Sequence, residues 1–169
     1  GLNPITTQLV LWENTSAWAG MGAPKAVLES CRGGYNLLSG VGIDTAARNP
    51  RAVGCKWMAG KGSYCNDIKF VGGHGQITEQ QENVPTYNPS RTADYDPDRP
   101  WDSQYWSLWI TENGGGTFKD IWSASPYAEA GIFLSETSTP GVMYQVSVEH
   151  HVRHEILMRN VENWKFLGI

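Results

Sequence analysis

A chain of 169 residues is long enough to bury a core of its own, and 13 Lys+Arg against 17 Asp+Glu leave it a formal net charge of -4. That balance is wrong for gripping a phosphate backbone, and no apolar run approaches the roughly 20 residues of a membrane helix, so neither nucleic acid nor membrane is an expected partner. Eight Trp and seven Tyr against four Phe point to aromatic faces with a polar handle, which serve sugar rings and wet interfaces as well as ordinary cores.

The chain opens on GLNPITTQLVLW, with no initiator Met and no charged-then-apolar targeting stretch. It closes on Trp164, Phe166, Leu167 and Ile169, which prefer burial, and the expectation is a piece of a longer protein. Nineteen Gly scattered through short apolar runs argue against helices, because Gly in a helix interior costs about 1 kcal/mol. The predicted elements are short β-type phrases, in chain order QLVLWE, NLLSGVGI, AVGCKWM, NDIKFVGG, YWSLWITE, GTFKDIWSA, AGIFLSET, YQVSVEHH and NWKFLGI. Asn14-Thr15-Ser16 is a glycosylation triplet and fits a secreted protein. Cys55 and Cys65 flank a stretch that a hairpin or loop could close into a disulfide, with Cys31 left over. Residues 76–103 break the rhythm with four Pro, many charges and almost no aliphatic side chains. They read as a loop insertion whose Tyr87, Tyr95 and Trp101 suit a wall beside a groove.

Three phrases share a form, a polar corner before an apolar strand: Asn66-Asp67-Ile68-Lys69-Phe70, Lys119-Asp120-Ile121-Trp122 and Asn160-Val161-Glu162-Asn163-Trp164-Lys165-Phe166. Ile121 and Val146 are about 25 residues apart, and Val146 and Trp164 about 18, close to the period of solenoid repeats. An all-β fold follows, a right-handed parallel β-helix over 1–169 with the loop insertion 76–103. Ile121, Ile132, Leu134, Val146, Val148 and Trp164 should point inward. The alternative is a β-sandwich, which would call for more hairpin dipeptides of the Asn-Gly kind.

The segment HHVRHE would put His150 and His154 on one face of a helix, but the Glu of a zinc-peptidase frame is misplaced and the preceding VSV reads as strand. No metal and no cofactor are expected. On a strand, Val146, Val148 and His150 share the core face while Gln145, Ser147, Glu149 and His151 form a polar row that either lines a cleft or merely solvates the sheet.

As a set, YWSLWITENGGGTFKDIWSA, AGIFLSETSTPGVMYQVSVEHHV and NVENWKFLGI resemble the second β-helix of glycoside hydrolase family fifty-five, the exo-β-1,3-glucanases or laminarinases of the pectate-lyase-like superfamily. The likeness is densest over 105–169 and weak before residue 50. It implies a tandem pair of β-helices and inverting cleavage of β-1,3-glucan. The general acid would be a Glu in a Gln-Thr-Glu phrase that would fall just beyond Ile169, and inversion also needs a water on the opposite sugar face. It further implies a polysaccharide or oligosaccharide partner, and contact with the remainder of the parent β-helix. Glu149 and His151 are the candidate supporting residues, and Trp122, Phe133 and Tyr105 join them as candidate substrate-binding residues.

Two other classes fit the same phrases. One is a non-catalytic carbohydrate-binding or adhesive β-helix. The other is a polysaccharide lyase, which needs a basic group and often a cation to neutralise an acidic sugar, whereas only Arg153 and Arg159 lie near the histidines.

Overall fold

The computed structural model describes residues 3–12, 16–19, 22–45, 49–71, 104–124, 128–151 and 153–169. The expected insertion at 76–103, with Tyr87, Tyr95 and Trp101, lies outside the described residues, as do Asn14 and Thr15. Among the described residues there is no helix.

One sheet is built in the order β1 (Gln8–Val10), β3 (Leu37–Asp44), β5 (Tyr64–Val71), β7 (Gly116–Ala124), β9 (Gly141–Glu149) and β11 (Trp164–Leu167). The other contains β2 (Lys25–Glu29), β4 (Ala52–Trp57), β6 (Gln104–Ile110), β8 (Ala128–Thr137) and β10 (His154–Val161). Every strand pair is parallel, and each strand pairs with the one two places along the chain. The chain therefore crosses between sheets at every step and returns one layer higher, a right-handed parallel β-helix of about four turns. A sandwich of antiparallel sheets is overturned by these ladders.

Stacking of like on like fills the interior. Leu38, Cys65, Phe118, Met143 and Phe166 are partners down one column, and Val41, Ile68, Ile121 and Val146 down the next. Cys55, Leu108, Ile132 and Ile156 face them from the other sheet, beside Trp57, Ile110, Leu134 and Met158. Ile121, Ile132, Leu134 and Val146 belong to the buried cluster, and Val148 and Trp164 pack against it, as the alternation predicts. Each fully buried aliphatic side chain of this kind contributes roughly 1.5–3 kcal/mol.

The two inward columns of the odd-numbered strands are three residues apart, not two. The residues between them explain the step: Gly40, Asp67, Asp120, Gln145 and Gly168 all have left-handed backbones, with φ from 50° to 70°. Adjacent registers bracket them into a single stack, so each odd strand bends at the same corner and turns its next apolar residue back inside. Two of the phrases that look alike in sequence, around Asp67 and Asp120, are this corner. The third is not, because Asn160 stacks on Glu136 at the end of the other sheet, where its Nδ2 lies 3.1 Å from both carboxylate oxygens. The last-coil counterpart of Asp67 is Gly168.

The cysteines are all free. Cys55 and Cys65 lie on successive strands in different sheets, and the disulfide that their spacing allows is not formed. Burial pushes the Cys55 thiol up to about 12, and raises Cys65 well above its ordinary value, so both behave as small apolar side chains.

Left-handed backbone at a non-Gly residue costs about 1–2 kcal/mol, most for branched side chains. Gln145→Gly should leave stability unchanged or raise it, whereas Gln145→Val should lose about 1–2 kcal/mol, measured by urea denaturation.

Candidate functional site

The strand alternation that pairs His151 with Glu149 fails at one residue. His150 is left-handed, with φ 63°, and ends β9 with a corner of its own. Its ring is half exposed beside Glu149, with Nε2 3.5 Å from the Glu149 carboxylate, while His151 turns inward and its side chain is fully buried. The inward and outward assignments of these two histidines are thus reversed.

Inside, His151 Nε2 lies 3.0 Å from Ser123 Oγ, and Ser123 Oγ lies 2.8 Å from Ser107 Oγ. On the other side His151 Nδ1 is 2.5 Å from Glu155 Oε2. The carboxylate accepts from Nδ1–H, and Nε2 closes on the Ser123 hydroxyl, whose own proton goes to Ser107. The connectivity matches that of a nucleophile, base and orienting acid. Its surroundings do not, because Ser123 is completely buried and Gly131 is packed so closely that a Cβ there would overlap Val148 and come within 2.6 Å of His151 Cε1. The network is a polar tie across β6, β7, the β9–β10 corner and β10, with no room for a substrate at its serine.

Glu149 and Trp122 do meet. Trp122 is half exposed on the outer face of β7, and its Nε1 donates to Glu149 Oε1 at 3.2 Å. Lys69 is its partner on β5, and the Lys69 ammonium stands 4.0 Å from the Trp122 ring centroid, a cation–π contact. The adjoining groove has a volume of about 350 Å³ and is lined by Asp67, Lys69, Asp120 and Trp122, with Asn3, Pro4 and Ile5 as its far wall. Lys119 Nζ holds the Asp120 carboxylate at 2.6 Å. The wall lies close because Gly42, the residue that precedes Lys69 and Trp122 in this outward column, has no side chain. A Cβ there would overlap the Pro4 carbonyl.

Phe133 and Tyr105 sit elsewhere. They belong to an aromatic cluster on the outer face of the even-numbered sheet, where Phe133 is 4.5 Å from Trp106 and stacks at 8° on Trp109. Trp106 Nε1 donates to Glu129, Trp109 Nε1 to Ser135, and Tyr105 to the carbonyl of Gly22. Every polar handle there is occupied, and the cluster reads as packing.

The candidate residues thus fall in three places: Trp122 and Glu149 on one flank, Phe133 and Tyr105 on another, His151 in the interior. Asp67, Lys69 and Asp120 were missed as groove residues, although a signal exists. In Asp67-Ile68-Lys69 and Asp120-Ile121-Trp122 the corner Asp is followed two places on by the outward residue, which puts Lys69 and Trp122 in one slot.

Among the described residues no group of three His, Cys, Asp or Glu side chains is placed to hold a metal ion, and no helix is long and apolar enough to cross a membrane. No protein-family model, curated protein or solved structure matches the chain.

Burial, the largest effect, holds His151 below its ordinary 6.5, against the upward pull of Glu155. Above pH 6.5 the ring is neutral in both states. As pH falls through 6.5 the unfolded chain takes up a proton that the folded chain refuses, so stability drops until the folded value is passed. The expected slope is at most about 1.4 kcal/mol per pH unit, and His151→Gln should abolish that component in urea midpoints measured across the window.

Proposed function

We propose that this β-helix recognises a polysaccharide along its Trp122 flank, and that the polysaccharide is a neutral β-glucan handled in the context of a glycoside hydrolase. The observation that carries the reading is Trp122 itself. It is an aromatic side chain exposed on the solenoid's flank, and it sits beside a groove with polar groups on either side. An aromatic face bounded by a carboxylate and an ammonium is a platform for a sugar ring, with the ring plane taking the apolar face and the polar groups taking hydroxyls.

The charges favour a neutral sugar over an acidic one. Lys69 is drawn onto the Trp122 ring and Lys119 onto Asp120, while Asp67, Asp120 and Glu149 supply carboxylates along the same face. A uronate would meet more negative than free positive charge, which speaks against the lyase reading. Glu149, oriented by the Trp122 indole, would accept a hydroxyl hydrogen bond. The resemblance to β-1,3-glucanases supports the glucan class, and none of the residues matched to it is that family's general acid, so recognition and hydrolysis are separable. A purely adhesive β-helix shares the binding step and differs in lacking the hydrolysis.

Titration with laminari-oligosaccharides should give saturable binding to the chain with no release of glucose, and polygalacturonate should give none. Trp122→Ala should weaken glucan binding at least tenfold, about 1.4 kcal/mol, with an unchanged urea midpoint. Glu149→Gln should weaken it by less, because an amide oxygen still accepts a hydroxyl hydrogen bond. Absence of saturable binding, or full affinity in Trp122→Ala, would sink the proposal.

A further inference from the structure

Strands β5, β7 and β9 lie in the middle of the solenoid, each with a ladder partner on both sides. On the stretch that precedes the left-handed corner, Asn66, Lys119 and Tyr144 stand in one column at matching registers. Their chain neighbours Cys65, Phe118 and Met143 belong to the core, so this column faces outward. Tyr64 shares that face two residues before Asn66. Its hydroxyl donates to Asn66 Oδ1 at 3.3 Å, which leans the ring into the column, and Asn66 Nδ2 donates to Ser39 Oγ at 3.3 Å. The two tyrosines and Lys119 are all half-buried.

Lys119 is the charged side chain of this strip, and its charge is answered locally. Its ammonium donates to the Asp120 carboxylate at 2.6 Å. That bond raises the Lys119 pKa, with loss of water opposing it and the phenols of Tyr64 and Tyr144 adding to it, so both rings lie within electrostatic reach of the ammonium, one on β5 and one on β9. The two rings are separated by two strand spacings, roughly 9.6 Å. The left-handed residues Asp67, Asp120 and Gln145 form the ridge between this strip and the Trp122 groove.

We propose that Tyr64, Lys119 and Tyr144 form a second carbohydrate-binding surface, one that takes an extended, uncharged β-1,4-linked glucan chain lying along the solenoid axis. Two aromatic rings in line on a flat stretch of sheet suit a chain that stays straight and repeats the orientation of every second sugar ring, as β-1,4 linkage does. A β-1,3-linked chain coils and leaves such a strip after one ring. The phenol faces take the apolar faces of alternate sugars, while Lys119 and Asn66 take hydroxyls between them. Pairing of Lys119 with Asp120 leaves little to attract a charged polymer. The surface is independent of the Trp122 groove, because the ridge turns the two in different directions. A chain held here anchors the protein and leaves the Trp122 flank open.

Calorimetric titration with cellohexaose, a soluble β-1,4-linked probe, should give saturable binding for which laminarihexaose does not compete. Tyr144→Ala should weaken it at least tenfold, and Tyr144→Phe, which keeps the ring, should retain most of the affinity. Tyr64→Ala removes the other platform and should cost a similar factor, which keeps the test open should Tyr144→Ala lower the urea midpoint. Absence of saturable cellohexaose binding would overturn the proposal and leave the Trp122 reading standing, since that reading is tested with laminari-oligosaccharides. Full affinity in both tyrosine-to-alanine variants would overturn it as well. So would loss of cellohexaose binding in Trp122→Ala with full affinity in Tyr144→Ala, which would place the chain in the groove.

Discussion

The bend at Gly40, Asp67, Asp120, Gln145 and Gly168 is the constraint on which the other features rest. A straight strand alternates its side chains with period two, and a flat stack of such strands has an inside only if something covers it. One left-handed residue at the same level of each coil folds the sheet along a line. It returns Ile68, Ile121 and Val146 to the interior and turns Lys69, Trp122 and Ser147 outward as a row. Gly tolerates this backbone freely and Asp tolerates it through its short polar side chain, whereas Gln145 carries the full cost. The flank on which Trp122 and Glu149 meet is a product of that corner, and so is the inward turn of His151, because His150 repeats the same move at the end of β9.

A parallel solenoid must also satisfy the polar groups that its narrow interior encloses. Ser107 and Ser123 pair with each other, Ser135 with Thr111, and Thr137 with the Gly114 carbonyl. Gly54, Ser107 and Gly131 are stacked where the even strands approach the odd sheet, and each neighbour of a Gly here is closer than a side chain would allow. In the last coil Glu155 takes the corresponding place, and its carboxylate reaches back to His151. The resulting chain of Ser107, Ser123, His151 and Glu155 links the final coil to two earlier ones by directional bonds, which makes it sensitive to protonation where the apolar columns are not.

The flank can carry an exposed aromatic for a physical reason. Along the flank every backbone group is spent within the sheets, so an exposed aromatic such as Trp122 is free to meet a ligand without competing for strand pairing.

Composition, glycine distribution and the recurrence of polar corners before apolar strands were enough to determine a parallel β-helix, because coil stacking demands like residues at like positions and that demand is written as a repeat. They determined most of the core for the same reason, including Ile121, Ile132, Leu134 and Val146. Only the tertiary structure decided which corner a phrase belonged to. Asn160 and Asp67 look alike in sequence, but the ladders put one on Glu136 and the other on Asp120. Likewise, alternation along a single strand can pair Glu149 with His151, but it cannot register a left-handed residue between them, since backbone φ is settled by the packing of neighbouring coils. Phe133 and Trp122 are both aromatic and both outward, yet they serve different sheets, a distinction that depends on how far the chain has turned and that no local pattern carries.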